Sequence, residues 1–432
     1  MLKKKFAIVL AAVMALSALP MTVMAEESGE KVNITIMCAY ASEDPHGQYI
    51  YQYAENFMAA NPNVNVEVQA ISSNDIYTKL AAMATSPDDL PTLFYTSGDQ
   101  APTLYDLRLM EDLNNYLTEE DLAAFSAGIV DACILSDEMV IYPINVQPSA
   151  ILYRTDRFEE AGLSVPTTWA EFIECAKALT ADTDEDGEVD QWGFSMVGSN
   201  NSSGQSRFMS YLWSNGCNII SYDEENEEWV MDLGDNFTEL LTTWTNMSTV
   251  DGVVPTGITE VDYATAANYF AMGYTSMMLT GSNAIGVAYA NNPDLEGKIG
   301  SFVIPGEYAG TYLNAEGYAL CNAASDEEKA AAVEFLKFFS TNDEELGFWQ
   351  SSGKIPATVE GAKAEYISGS DYAGYLDTVE KGCLDVINFA GMSGLKSILG
   401  DAYAAVFSGE KTNEEAVADL EAAFAELLED YN

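Results

Sequence analysis

An α/β fold in two lobes is what this sequence predicts, on three observations. From Val32 onward, short apolar runs alternate with helix-length amphipathic runs, the order that builds a mainly parallel sheet covered by helices. The chain has 432 residues, more than the roughly 250 to 300 that one hydrophobic core serves. And although its formal net charge is −50, 48% of its residues are hydrophobic and 11% aromatic, so it has the material for folded cores and is not a disordered acidic tail.

The first segment, Met1 to Ala25, reads as a secretory signal peptide. Three lysines precede an apolar run from Phe6 to Leu19, and Val23-Met24-Ala25 is a small-residue exit; the run is too short to act as a stop-transfer helix. No later stretch approaches the ~18 apolar residues a membrane helix needs, so the expected product is exported, secreted or held in the cell envelope, without membrane insertion of its own. The first cysteine is Cys38, which leaves no lipid-attachment cysteine at the cleavage point. So acidic a surface repels phosphates and anionic head groups, which argues against nucleic-acid and membrane-surface binding. Cys38, Cys133, Cys175, Cys217, Cys321 and Cys383 are scattered without close pairs and read as small buried thiols. His46 is the single histidine, which rules out a multi-histidine metal site.

The elements follow in order. VNITIMCAY is strand-like, YIYQYAENFMAANP has helical spacing and ends at Pro62, NVNVEVQAI alternates as a strand, SNDIYTKLAAMATS is a helix, and LPTLFYT is again a strand. A helix-rich segment runs from Pro102 to Leu135. Two apolar strands around Pro143 and Ile151 lead to a short helix, a proline turn, and a helix started by Thr167 or Thr168 that runs from Trp169 to about Leu179.

The run YPINVQPSAILYRTDRFEEAGLSVPTTWAEF resembles the central motif of the family 1 extracellular solute-binding proteins of ABC transporters, the group that includes maltose-binding protein. MGYTSMMLTGSNAIGVA is similar to the family's strand-turn-helix, with Asn283 in place of the usual aromatic. GTYLNAEGYALCNAASDEEKAAAVEFLKFF, GFWQSSGKIPA and the C-terminal GDAYAAVFSGEKTNEEAVADLEAAFAELL resemble its later segments in the same order. The resemblance implies a two-lobed, type II periplasmic-binding-protein-like fold with discontinuous lobes: residues 26–146 plus 306–355 as lobe one, and 147–305 plus 356–432 as lobe two. It also implies a monomeric, non-enzymatic receptor that captures a carbohydrate between the lobes and delivers it to a membrane permease.

Sugar sites combine aromatic faces with carboxylates and amides that take up hydroxyls. Loops at strand ends supply such groups here. Tyr40 and Glu43 follow the first strand; Tyr95, Ser97 and Asp99 stand at the end of the third; Asn145 and Gln147 lie on the crossover strand. Farther along come Gln205 and Arg207, the Ser282-Asn283 turn, Glu316 on the returning segment, and Trp349 near a crossover. Trp169, Trp192, Trp213 and Trp244 have core-like spacings and are expected to pack. With Asn283 lacking a ring, a smaller glycan or a non-sugar solute such as a polyamine stays open. So does a secreted glycosidase with paired carboxylates, although no nucleophile-base constellation stands out.

DTDEDGEVD, from Asp182 to Asp190, has the spacing of a calcium loop. Side-chain oxygens fall at positions one, three, five and nine (Asp182, Asp184, Asp186, Asp190), Gly187 is at six, and Glu188 at seven offers its backbone carbonyl. Position twelve is Gly193, where the pattern needs a bidentate glutamate. A truncated calcium loop that staples a helix-strand junction is the expectation, with a plain acidic turn as the alternative and a calcium-dependent adhesion role as a weaker third.

Overall fold

A computed structural model describes residues 31–38, 45–71, 75–86, 89–98, 100–308, 310–311, 314–339, 353–381 and 389–432. Fourteen strands occur in order among them: β1 (Val32–Cys38), β2 (Val64–Ala70), β3 (Leu93–Ser97), β4 (Ile134–Leu135), β5 (Glu138–Met139), β6 (Tyr142–Val146), β7 (Ser149–Arg154), β8 (Trp192–Ser195), β9 (Ile219–Asp223), β10 (Glu228–Asp232), β11 (Thr275–Gly281), β12 (Ile299–Phe302), β13 (Ala315–Leu320) and β14 (Ile355–Pro356). They form a six-stranded sheet in the order β14-β6-β13-β3-β1-β2, a four-stranded sheet in the order β12-β7-β11-β8, and two small hairpins. The predicted α/β fold is what the chain adopts.

The β-α-β-α-β opening behaves as its periodicity requires. In β1, Ile34, Ile36, Met37 and Cys38 are fully buried, the near-continuous apolar run of a central strand. β2 lies at the edge and alternates, with Val64 and Val66 in and Asn65 and Glu67 out. Both β2 and β3 pair with β1 in parallel. Tyr53 and Phe57 of the Pro45–Ala60 helix each set a ring edge-on to Phe335 at 5.2 Å, tying that helix to the Asp326–Phe339 helix. The other half of this sheet is antiparallel, because β13 and β14 return on a later passage of the chain: β13 pairs antiparallel with β3 and β6, and β14 with β6. Local periodicity identifies strands but carries no information about the direction in which a distant segment returns.

The four-stranded sheet is packed by aromatic helices. Thr168 caps the Trp169–Ala178 helix through a reciprocal capping box with Glu171. Trp169 donates its Nε1–H to Ser214 Oγ at 2.8 Å, and Trp169 and Tyr211 place their rings 4.8 Å apart. Phe172, Phe194, Phe208 and the fully buried Trp244 complete that core. Trp169, Trp213 and Trp244 are buried and Trp192 half-buried, the packing role expected of them. Cys133, Cys175, Cys217 and Cys321 are free and buried, and Cys38 is buried as well; burial pushes the Cys133 and Cys217 thiols up, the latter to about 12. Cys383 lies outside the described residues.

The chain passes between the two sheets three times. It leaves the six-stranded sheet after β6 and enters the other at β7, returns between β12 and β13, and leaves again after β14, since the Ser370–Lys381 helix packs on β12 and β7. Where β13 fits between β3 and β6, the register shifts between Glu316 and Gly317. A Cβ on Gly317 would stand 1.9 Å from the Tyr142 carbonyl oxygen, so only glycine lets the two backbones close. Replacing Gly317 with alanine is therefore expected to destabilise the fold by about 3 kcal/mol, the upper end for overpacking. A urea-denaturation midpoint equal to that of the parent chain would refute the requirement.

Candidate functional site

The ends of β3, β6, β11 and β13 converge where the chain crosses between the sheets. Glu316 opposes Ser97 on one side and Asn145 on the other. Its carboxylate accepts a hydrogen bond from Gln147 Nε2 at Oε1 and pairs with the Lys354 ammonium at Oε2. Glu316 and Lys354 are both buried. Gln147 lies on the first crossing, Glu316 follows the second, and Lys354 precedes β14. The Gln147 backbone N–H also donates to the Asn314 carbonyl at 3.2 Å, and Gly98 N–H to the Ala315 carbonyl at 3.0 Å.

Tyr95 is buried against Tyr318, rings edge-on at 6.3 Å, and Ser97 Oγ lies 3.5 Å from the Tyr77 hydroxyl. Asn145 is 1% exposed, and its side-chain oxygen has no hydrogen-bond partner; the side-chain oxygen of Asn314 likewise has none. Such atoms are uncommon in a folded chain, because each forfeits its interaction with water.

Opposite them, Ser282 at the end of β11 donates its hydroxyl to the Gly353 carbonyl at 2.7 Å. Asn283, the first residue of the Asn283–Asn291 helix, donates Nδ2 to the Tyr263 hydroxyl at 2.8 Å. Arg207 stacks its guanidinium over the Tyr263 ring, 4.9 Å from the centroid. It donates Nε to the Leu279 carbonyl, and Nη1 to the Ser203 carbonyl and hydroxyl. Burial pulls Arg207 below the usual guanidinium range and pushes the neighbouring Tyr375 phenol well up.

Of the residues singled out in the sequence, Ser97, Asn145, Gln147 and Glu316 are thus joined, with Ser282 and Asn283 facing them; Gly281 brings the two groups together, since a Cβ there would meet both Asn283 and Gln147. Gln205 is not part of this group: its amide donates to Asn200 Oδ1 at 2.9 Å, and Asn200 donates to Asp401, so it ties the Ser202–Ser214 helix to the Met392–Phe407 helix. Tyr40, Glu43, Asp99 and Trp349 lie outside the described residues. Lys354 and Tyr263 were not singled out beforehand. The GKIPA turn pointed to the neighbourhood of Lys354, whereas nothing in DYATAANYF distinguishes Tyr263 from a packing tyrosine.

Asp182, Asp184 and Asp186 place carboxylate oxygens within 4.8 Å of one another. Gly187 makes the sharp bend at φ +99°, its N–H and that of Asp186 donating to Asp182. Glu188 donates its N–H to Asp186. Asp190 is turned aside, accepting from the Thr183 hydroxyl and N–H, which hold its carboxyl below the usual range.

Glu316 is expected to carry more stability than a surface acid, because breaking a buried ion pair costs about 3 to 5 kcal/mol. Glu316→Leu should lower stability by that order, and adding Lys354→Met should recover a large part of it. Additive losses in this double-mutant cycle would show that the two side chains are not coupled.

Residues 40–345 match the family model of the bacterial extracellular solute-binding proteins. A Brucella abortus (strain 2308) protein, described by name only as a binding protein, is 22% identical over 346 residues, 76% of this chain and 77% of that one. An ABC transporter solute-binding protein of Agrobacterium radiobacter K84, solved with ribitol, superposes with a TM-score of 0.73 at 21% identity, covering 92% of this chain and 98% of the other. The cyclic alpha-maltosyl-1,6-maltose binding protein of Arthrobacter globiformis superposes with a TM-score of 0.74 at 20% identity, covering 93% of this chain and all of the other. These neighbours share the two-lobed fold at low identity. With a family match over most of its length and this fold, the chain belongs to the bacterial extracellular solute-binding proteins.

Proposed function

We propose that this protein is the extracellular receptor of an ABC transporter, which captures a carbohydrate between lobes 26–146 plus 306–355 and 147–305 plus 356–432, and hands it to a membrane permease. The observation that carries the reading is the meeting of amides and hydroxyls at the crossings: Ser97, Asn145, Gln147 and Glu316 on one sheet, Ser282 and Asn283 on the other. Groups of this kind exchange hydrogen bonds with sugar hydroxyls. The ligands named for the Agrobacterium and Arthrobacter neighbours, a polyol and a cyclic glucan, support a ligand of that class. Glu316 is already engaged by Gln147 and Lys354, which disfavours it as the acid of a glycosidase. Tyr40, Glu43, Asp99 and Trp349 complete the proposed contact set by sequence position.

Calorimetric titration with neutral oligosaccharides, polyols, amino acids and polyamines tests the reading. At least one carbohydrate should bind in the micromolar range or tighter, with small-angle scattering showing contraction as the lobes close. Binding confined to polyamines would move the assignment to the non-sugar alternative, and turnover of a glycan would move it to the hydrolase.

The loop from Asp182 to Asp190 is proposed to hold Ca2+ as a local staple. Its support is the convergence of three carboxylates around a glycine bend. Removing calcium with EDTA should lower the melting temperature by several degrees and leave ligand affinity unchanged; equal melting curves with calcium and with EDTA would dismiss the metal.

A further inference from the structure

Gly281 closes β11 and faces the crossings. Its φ is not in the left-handed region, so the backbone does not demand glycine. Among the described residues, a side chain there would meet two atoms within 4 Å beyond its chain neighbours: Asn283 Oδ1 at 3.0 Å and Gln147 Oε1 at 3.9 Å. The missing side chain leaves a notch bordered by two amide oxygens, one from each side of the cleft.

Both amides are held with their oxygens available. Gln147 spends its NH2 on the Glu316 carboxylate, which can only accept, so the orientation of that amide is forced. Asn283 spends its NH2 on the Tyr263 hydroxyl. Of the nearby cationic groups, Lys354 is paired with Glu316, and Arg207 donates Nε and Nη1 to the Leu279 and Ser203 oxygens. Independently, Asn145, whose partner across the sheet is Glu316, keeps a buried side-chain oxygen with nothing donating to it, as does Asn314, whose carbonyl binds Gln147. Acceptors are therefore in excess where the sheets meet.

We propose that the notch at Gly281 is a subsite for a hydrogen-bond donor. It takes hydroxyls of a neutral glycan or the ammonium of an amine, and it rejects carboxylates and phosphates, which would face acceptor oxygens. This rests on the receptor reading above and adds the polarity of what the receptor selects.

The test uses the full mature chain, 15N-labelled. Maltotriose and ribitol serve as neutral probes, glucosamine and spermidine as amines, glucuronate and glucose 6-phosphate as acids. Titration of neutral or amine probes should shift the side-chain amide resonances of Gln147 and Asn283, while the acids bind at least tenfold more weakly. Gly281→Ala should fill the notch and weaken the bound probes at least tenfold, with an unchanged urea midpoint because only side-chain ends need to give way. Tight binding of an acid, or undiminished affinity in folded Gly281→Ala, would overturn the subsite while leaving the receptor reading intact. Should Gly281→Ala fail to fold, the comparison of acids with neutral and amine probes in the unaltered chain decides the matter. Binding of the amines alone, lost in Gly281→Ala, would keep the subsite and sink the carbohydrate assignment. Silence of both resonances across every probe would overturn both.

Discussion

A single buried carboxylate holds the three passages of the chain together. Glu316 sits on the strand that returns from the four-stranded sheet, and its two oxygens engage Gln147 from the outgoing passage and Lys354 ahead of β14. Desolvating a carboxylate is expensive, and the cost is offset only where charge and hydrogen bonds are supplied together. Here both come from residues far apart in the chain, so the interaction forms only when the crossings are in register. The bulge at Glu316 and Gly317 and the absence of a side chain at Gly317 are what allow β13 to reach that position. The remaining site geometry is subordinate to this contact: with Gln147 Nε2 fixed, Gln147 Oε1 is fixed too, and with it the distance to Gly281 and Asn283.

Apolar packing on both sheets meanwhile keeps a chain of net charge −50 folded. The aromatic cluster of Trp169, Phe172, Tyr211 and Trp244 serves the four-stranded sheet, and Tyr53, Phe57 and Phe335 serve the six-stranded one. Self-repulsion of a surface so rich in acid works against compactness, and apolar burial on the order of 25 cal/mol per Å2 opposes it.

Much of this was legible in the residues. Periodicity located β1, β2, β3, β6 and β7 and the helices between them, and of the two threonines that could start the next helix, Thr167 and Thr168, the capping box selects Thr168. The ordered motifs carried the fold. What escaped was anything set by pairing over long distances. That half of the large sheet runs antiparallel, that Asn200, the partner of Gln205, reaches Asp401, and that Lys354 meets Glu316 are contacts between residues 38 or more apart. Residue type placed Gln147 and Asn283 correctly at strand ends. It could not say which end of each amide is spent, since that is decided by neighbours from elsewhere in the chain.

The acidic loop shows the same division between local and distant information. Its aspartates and glycine formed the most conspicuous motif in the sequence, yet it spans a junction that protein hydrogen bonds already close. Thr180 Oγ1 donates to the Ala176 carbonyl and accepts from Gly193 N–H, Gln191 donates to the Leu179 carbonyl, and Ala181 bridges to Gln191. A Cβ on Gly193 would stand 2.1 Å from the Ala176 oxygen, so the helix end already rests on β8. Anything bound by Asp182, Asp184 and Asp186 therefore strengthens a connection whose course is set without it. The weaker signal, two amides beyond the ends of separate strands, is the one whose geometry depends on how the two sheets come together.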